Sequence, residues 1–276
     1  MTDFGLRLRM IVVGTILFAF YLAAGTFAAA MLGLPLIPVL AVGILVVPAL
    51  QYKLGKWLAT RKAEEIPEGA TGRYGEVRQT TLDLAREMDV PEPTVMKMRM
   101  GVPNAFAVGR KGAGVVCVSE ELVALLDRDE LEGVIAHELA HIKNRDVVTM
   151  VIGQSIGMIV GYVAYFAVLM GGERNIGSFI LAMVASSLAN ALVMVFVLAI
   201  SRYREYVADS DAKDVIGTGD PLARALEKIS RGAEGRDSEL DETMSALCIF
   251  NSERGLLEKV FATHPPMEKR VERLRE

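Results

Sequence analysis

Three stretches of this chain, Met10 to Tyr52, Val147 to Gly172 and Asn175 to Ser201, contain no Asp, Glu, Lys, Arg or His. In hydrocarbon every backbone N–H and C=O must be bonded within its own segment, and a helix needs about 20 apolar residues to cross. Each run therefore restricts the chain to membrane-spanning helix. The first is punctuated by Gly33, Pro35 and Pro38 and is long enough for two spans with a tight turn between them. Only Glu173 and Arg174 separate the second run from the third. Four transmembrane helices in two hairpins are expected.

The chain is 52% hydrophobic yet 23% charged, so the spans must be joined to a soluble part. The expected division is a short N-terminal segment (1–9), a first hairpin (10–52), a first soluble portion (53–146), a second hairpin (147–201) and a second soluble portion (202–276). Arg7 and Arg9 precede an apolar stretch longer than a secretory signal's, with no cleavage site after it, which argues against removal of the first span. Lys53, Lys56, Arg61, Lys62, Lys143, Arg145, Arg202 and Arg204 flank the spans on that same side, against Arg174 alone on the other. The positive-inside rule then places both termini and the soluble mass in the cytoplasm, on a multi-pass protein of the cell (inner) membrane. In that compartment Cys117 and Cys248 read as reduced, buried thiols. The net charge is −4 and the basic residues gather beside the membrane, so nothing supports nucleic-acid binding.

The chemistry concentrates in His137-Glu138-Leu139-Ala140-His141, which holds two of the chain's three histidines. Four residues apart on a helix, both imidazoles point to one face and can share a zinc ion, one per chain. Glu138 is placed to act as general base toward a water activated there. The motif sits on a helix: Asp127 and Glu130 form a capping-box pattern, and Leu131, Val134, Ile135 and Leu139 supply an apolar stripe.

Around that helix the soluble part is expected to be α+β, mainly helical with a small β-sheet. Thr71 to Met88 has helical periodicity and stops before the Pro91 to Pro93 turn. Val95 to Met100, Ala105 to Gly109 and Val115 to Val118 read as short strands, and Ser119 opens a helix to Leu126. Arg202 to Val215 and Pro221 to Ser230 are expected helices, Gly232 to Asp241 a polar loop, and Met267 to Arg273 a short charged helix.

A catalytic zinc takes three protein ligands and leaves one position open. The metal helix is expected to continue unbroken into the third span, which puts His141 about 9 Å before Val147. The fourth span returns to the same side, and Glu205 follows its end by about 6–8 Å. That matching depth makes Glu205 the expected third ligand, in preference to an exposed member of a juxtamembrane collar. Asp209, one turn later, is expected to accept a hydrogen bond from a ligand imidazole and fix its tautomer.

Several motifs together resemble the HtpX-type membrane zinc metalloproteases. They are Pro103-Asn104-Ala105-Phe106-Ala107, Leu126-Asp127-Arg128-Asp129-Glu130-Leu131-Glu132-Gly133 before His137 to His141, Lys143-Asn144-Arg145-Asp146, Glu205-Tyr206-Val207-Ala208-Asp209 and Thr263-His264-Pro265-Pro266. The resemblance covers most of the chain. It implies a zincin-like protease domain in which His137, His141 and Glu205 bind zinc and Glu138 is catalytic, and a role in clearing unfolded or damaged membrane proteins. It also favours His264 over Tyr206 as the group that steadies the tetrahedral oxyanion, although His264 could equally cap a turn stiffened by Pro265 and Pro266. Asn104, Ala105, Phe106 and Ala107 are an expected substrate edge, where an extended polypeptide could add by backbone hydrogen bonds.

Other functions fit less well. A transporter would be expected to carry ionisable residues within its spans, whereas Gln154, Asn190, Ser186 and Ser187 read as helix-packing groups. A non-catalytic zinc-stabilised scaffold would have no use for Glu138. Processing of prenylated C-termini is associated with larger relatives that have more spans. No signal bears on oligomeric state.

Overall fold

The computed structural model describes residues 27, 29–31, 33–35, 46–171, 175–233 and 265–276. Among the described residues two compact units emerge: Gly55–Val147 with Arg202–Glu276, and Val148–Ser201 with those before Gly55. Most of the expected first hairpin, His264, Cys248 and nearly all of the polar loop after Gly232 lie outside the described residues.

In order, the elements are α1 (Val47–Thr60), β1 (Glu64–Glu65), α2 (Gly72–Glu87), β2 (Thr94–Met98), β3 (Ala105–Val108), β4 (Val115–Ser119) and α3 (Glu120–Leu125). After these come α4 (Arg128–Lys143), α5 (Asp146–Gly171), α6 (Ile176–Ile216), α7 (Asp220–Ala233) and α8 (Met267–Arg275). The sheet order is β1-β2-β4-β3, with β2 parallel to β4 and both outer strands antiparallel to their neighbours. Strand β4 is buried along its whole length, as a central strand should be. The two-residue β1 is too short and too exposed to show a periodic signal, and sequence reasoning passed over it. Its Glu64 lies 3.6 Å from Lys97 of β2.

Helices α2, α4 and α7 pack with the sheet around Val77, Leu84, Val116, Ile135, Leu139 and Leu226. The α4 N-terminus carries the expected capping box, in which the Asp127 backbone N–H donates to Glu130 at 2.9 Å. Glu130 is buried, and its charge meets Lys228 Nζ at 2.7 Å and Arg224 at 3.6 Å, both on α7. Gly133 permits the α4–α7 approach, because a Cβ there would lie 2.9 Å from the backbone nitrogen of Leu222. Cys117, on β4, is fully buried, and its thiol pKa is pushed up to about 12 by that burial, which makes it chemically inert.

One expectation is overturned. The metal helix does not run unbroken into the next apolar helix: α4 ends at Lys143, Asn144 caps it, and Arg145 takes the left-handed conformation (φ 57°) before α5 begins at Asp146. The Asn144 side chain donates to Asp211 of α6 at 2.7 Å, holding the break in place. The axial-distance estimate from His141 to Val147 therefore does not apply.

In the second unit, α5 and α6 are long and apolar enough to cross a membrane. The residues of α6 that belong to the other unit follow in the same uninterrupted helix. Gly153, Gly157 and Gly161 form one stripe of α5, and α6 fits against it so closely that a Cβ at Gly157 would meet Asn190 Oδ1 at 2.7 Å. Ser186 and Asn190 are thus packing groups, as expected. Ser155 of α5 also donates to Gln51 of α1 at 2.8 Å.

Candidate metal and catalytic centre

Three side chains from two helices converge. His137 and His141 come from successive turns of α4, and Glu205 comes from α6. The two Nε2 atoms are 3.1 Å apart, and the Glu205 carboxylate oxygens lie 3.5 Å from that of His137 and 3.7 Å from that of His141. Bonds of about 2.05 Å at tetrahedral angles would separate donor atoms by about 3.3 Å, so this donor set fits one zinc ion. The relative accessibilities of His137 and Glu205 are 3% and 5%, too low for an exposed collar residue.

Each imidazole turns its other nitrogen to an aspartate. Asp209 Oδ1 is 3.0 Å from His137 Nδ1, and Asp146 Oδ2 is 2.6 Å from His141 Nδ1. Each aspartate in turn faces a buried arginine. Arg270 of α8 donates from Nε and Nη2 to the two oxygens of Asp209, at 2.9 and 2.7 Å, and its Nη1 lies 3.2 Å from Glu205. Arg204 Nε lies 2.9 Å from Asp146 Oδ1. A buried carboxylate is tolerated only with such compensation.

The electrostatics follow from this packing. Burial by itself works against protonation of His137, but the Asp209 and Glu205 carboxylates outweigh it and push its pKa up to about 9, despite the Arg270 charge. Burial would raise the Asp209 pKa, yet Arg270 and His137 hold it below the usual carboxylate range. A raised histidine pKa stabilises the fold fully below the ordinary value of 6.5, and that contribution is lost as pH rises through about 9. The depressed Asp209 contributes above its ordinary 3.8 and loses this as pH falls through its lower folded value. Without metal, both contributions are complete between about pH 4 and 6.5. A further consequence is that zinc uptake at pH 7 must expel the His137 proton. Calorimetric zinc titrations in buffers of different ionisation enthalpy should report release of about one proton, declining as pH passes 9. Heats independent of the buffer at pH 7 would contradict this picture.

Residues 72–276 match the family model described as peptidase family M48. Over 96% of this chain and 100% of the relative, the chain is also 48% identical to the protease HtpX homolog of Halobacterium salinarum. The chain belongs to peptidase family M48. This M48 peptidase is likewise 40% identical to the protease HtpX homolog of Salinibacter ruber, over 70% of the chain and 71% of the relative. Its fold is similar to the crystal structure of S. mikatae Ste24p, with a TM-score of 0.59 at 17% identity. That match covers 95% of this chain and 62% of the other, so the chain spans less than two thirds of that protein's length. The resemblance read from the motifs is thus met: the protein is a metallopeptidase, and a membrane protein.

Glu138, the residue after His137, is buried on α4, and its charge reaches Arg270. Tyr206 is half-buried, with its ring 4.7 Å beneath the Arg273 guanidinium. Its phenol pKa is raised, chiefly by burial. Of the expected substrate residues, Asn104, Ala105 and Phe106 are buried, and Ala107 is half-buried. The Asn104 backbone is fixed by Ser119, whose Oγ accepts from its N–H at 2.9 Å.

Sequence reasoning missed three site residues of the M48 peptidase. In the sequence Asp146 stands only as part of a motif, Arg204 only as a juxtamembrane charge, and Arg270 only as part of a short charged helix. In a helix as polar as Met267–Arg275, no local signal separates the fully buried Arg270 from exposed Lys269.

Proposed function

We propose that this M48 peptidase is a zinc-dependent endopeptidase, anchored by four transmembrane helices in two hairpins, that cleaves unfolded or damaged membrane proteins at the cytoplasmic face of the cell membrane. The observation that carries the reading is the approach of one donor atom each from His137, His141 and Glu205 to within 4.8 Å of one another, with Glu138 adjoining. These three side chains hold the ion, and Asp209 orients His137.

Zinc, when bound, supplies a Lewis acid that acidifies water and polarises a peptide carbonyl. Glu138 takes the proton from the attacking water and delivers it to the leaving amine. Arg270 balances the negative charge that Asp209, Glu205 and Glu138 bring into the site. His264 and Tyr206 remain the candidates for steadying the oxyanion.

Substrate polypeptide adds to β3. Among the described residues this strand has one strand neighbour, β4, and it packs beside α4. The burial of all its side chains but the half-buried Ala107 leaves backbone groups as the main means of recognition, which suits substrates that share no sequence. The basic residues Lys53, Lys56, Arg61, Lys62, Lys143 and Arg145 support the cytoplasmic orientation.

The test is metal removal. The purified protein in detergent should hold one zinc per chain and cleave casein and an unfolded membrane protein. A chelator should abolish cleavage of both, and added zinc should restore it. Cleavage that survives complete loss of metal would refute the assignment.

A further inference from the structure

The structure assigns to Asp146 and Arg204 a joint role: Asp146 is the positioning residue that fixes the tautomer of His141, and Arg204 is the buried counter-charge beside its carboxylate. This rests on the metal-site reading above.

The geometry is specific. His141 directs Nε2 at His137 and Glu205, and its Nδ1 lies 2.6 Å from Asp146 Oδ2. A carboxylate at that nitrogen accepts a hydrogen bond from Nδ1–H, so the Nε2 lone pair faces the other donors. Asp146 is 2% exposed, and an uncompensated charge could not persist there. Its second oxygen lies 2.9 Å from Arg204 Nε, and as the first residue of α5 it also sits in the positive field of a helix N-terminus. Arg204 precedes Glu205, so one turn of α6 delivers both the expected third ligand and the counter-ion of the carboxylate behind His141.

The break between α4 and α5 is what allows this. The left-handed Arg145 turns the chain so that Asp146, five residues after His141, comes back against its ring. An aspartate five residues along an unbroken helix would sit about 140° further around the axis. Asn144, bonded to Asp211, anchors the turn to the same helix that carries Arg204 and Glu205. The two ligand imidazoles are therefore held by separate aspartate–arginine pairs, with Asp209 and Arg270 behind His137.

The experiment measures zinc affinity of the full chain in detergent by competition with a chromogenic chelator, together with metal content and thermal unfolding of the metal-free form. Asp146→Asn should weaken zinc binding by about 10–100-fold, and Asp146→Glu should recover part of the loss. Because Asp146→Asn strands a buried arginine, the double variant Asp146→Asn/Arg204→Met is the control for folding. It should unfold near the wild-type temperature without metal and still bind zinc weakly. Cobalt in place of zinc gives a further readout, since an altered His141 tautomer should change its visible spectrum. Wild-type zinc affinity in Asp146→Asn, or in the double variant, would overturn the proposal. So would weakened binding that is fully matched by unfolding of the metal-free double variant. A wild-type protein that holds no zinc would instead overturn the metal site itself.

Discussion

Replacing Glu138 by Gln should lower casein turnover by about 10²–10⁴-fold while leaving one zinc per chain. Gln preserves the size and hydrogen-bonding reach of the side chain but cannot take a proton. Glu138 follows His137 directly on α4, so it projects about 100° around the helix from His137 and about 60° from His141, and is not one of the three converging donors. The variant thus separates catalysis from metal holding. A scaffold whose only need is zinc would behave as wild type in every assay. Retention of more than about a tenth of wild-type turnover would show that Glu138 is not the base.

The second large effect should come from Arg270→Ala. This guanidinium is fully buried, spans both oxygens of Asp209, and reaches Glu205 at 3.2 Å and His137 Nε2 at 3.3 Å. Its removal takes the guanidinium charge away from the buried carboxylates of Asp209 and Glu205. Breaking one side of a buried ion pair typically costs about 3–5 kcal/mol. In chelator the unfolding temperature should therefore drop by roughly 10 °C. Zinc supplies positive charge at the same place, so the gap between variant and wild type should narrow when metal is present. An Arg270→Ala protein as stable as wild type without metal would mean that the cluster is solvated rather than sealed.

Local pattern made much of this molecule legible. The i, i+4 histidines, the Asp127–Glu130 box and the stripe through Leu131, Val134, Ile135 and Leu139 place α4 correctly, because each signal lies within a few residues of what it specifies. Strands β2, β3 and β4 and helices α2, α3, α6 and α7 begin and end within a few residues of the expected bounds for the same reason. Glu205 was reached by a depth estimate whose premise fails, since α4 and α5 are separate helices. The residue stands beside the histidines nonetheless, because the approach of Glu205 to His137 and His141 needs no continuity between α4 and α5.

The amino-acid order alone determined the apolar runs, the helix that carries the histidines and the family to which the chain belongs, all of which depend on spacing along the chain. Only the tertiary structure decided which charges are sealed inside. Arg270 lies 61 residues from Asp209 and 133 from His137, and it is buried only because α8 docks where those side chains meet. Asp146 faces His141 because a single left-handed residue turns the chain back on itself. Burial of a charge depends on which distant partners neutralise it, and periodicity within one helix carries no record of them.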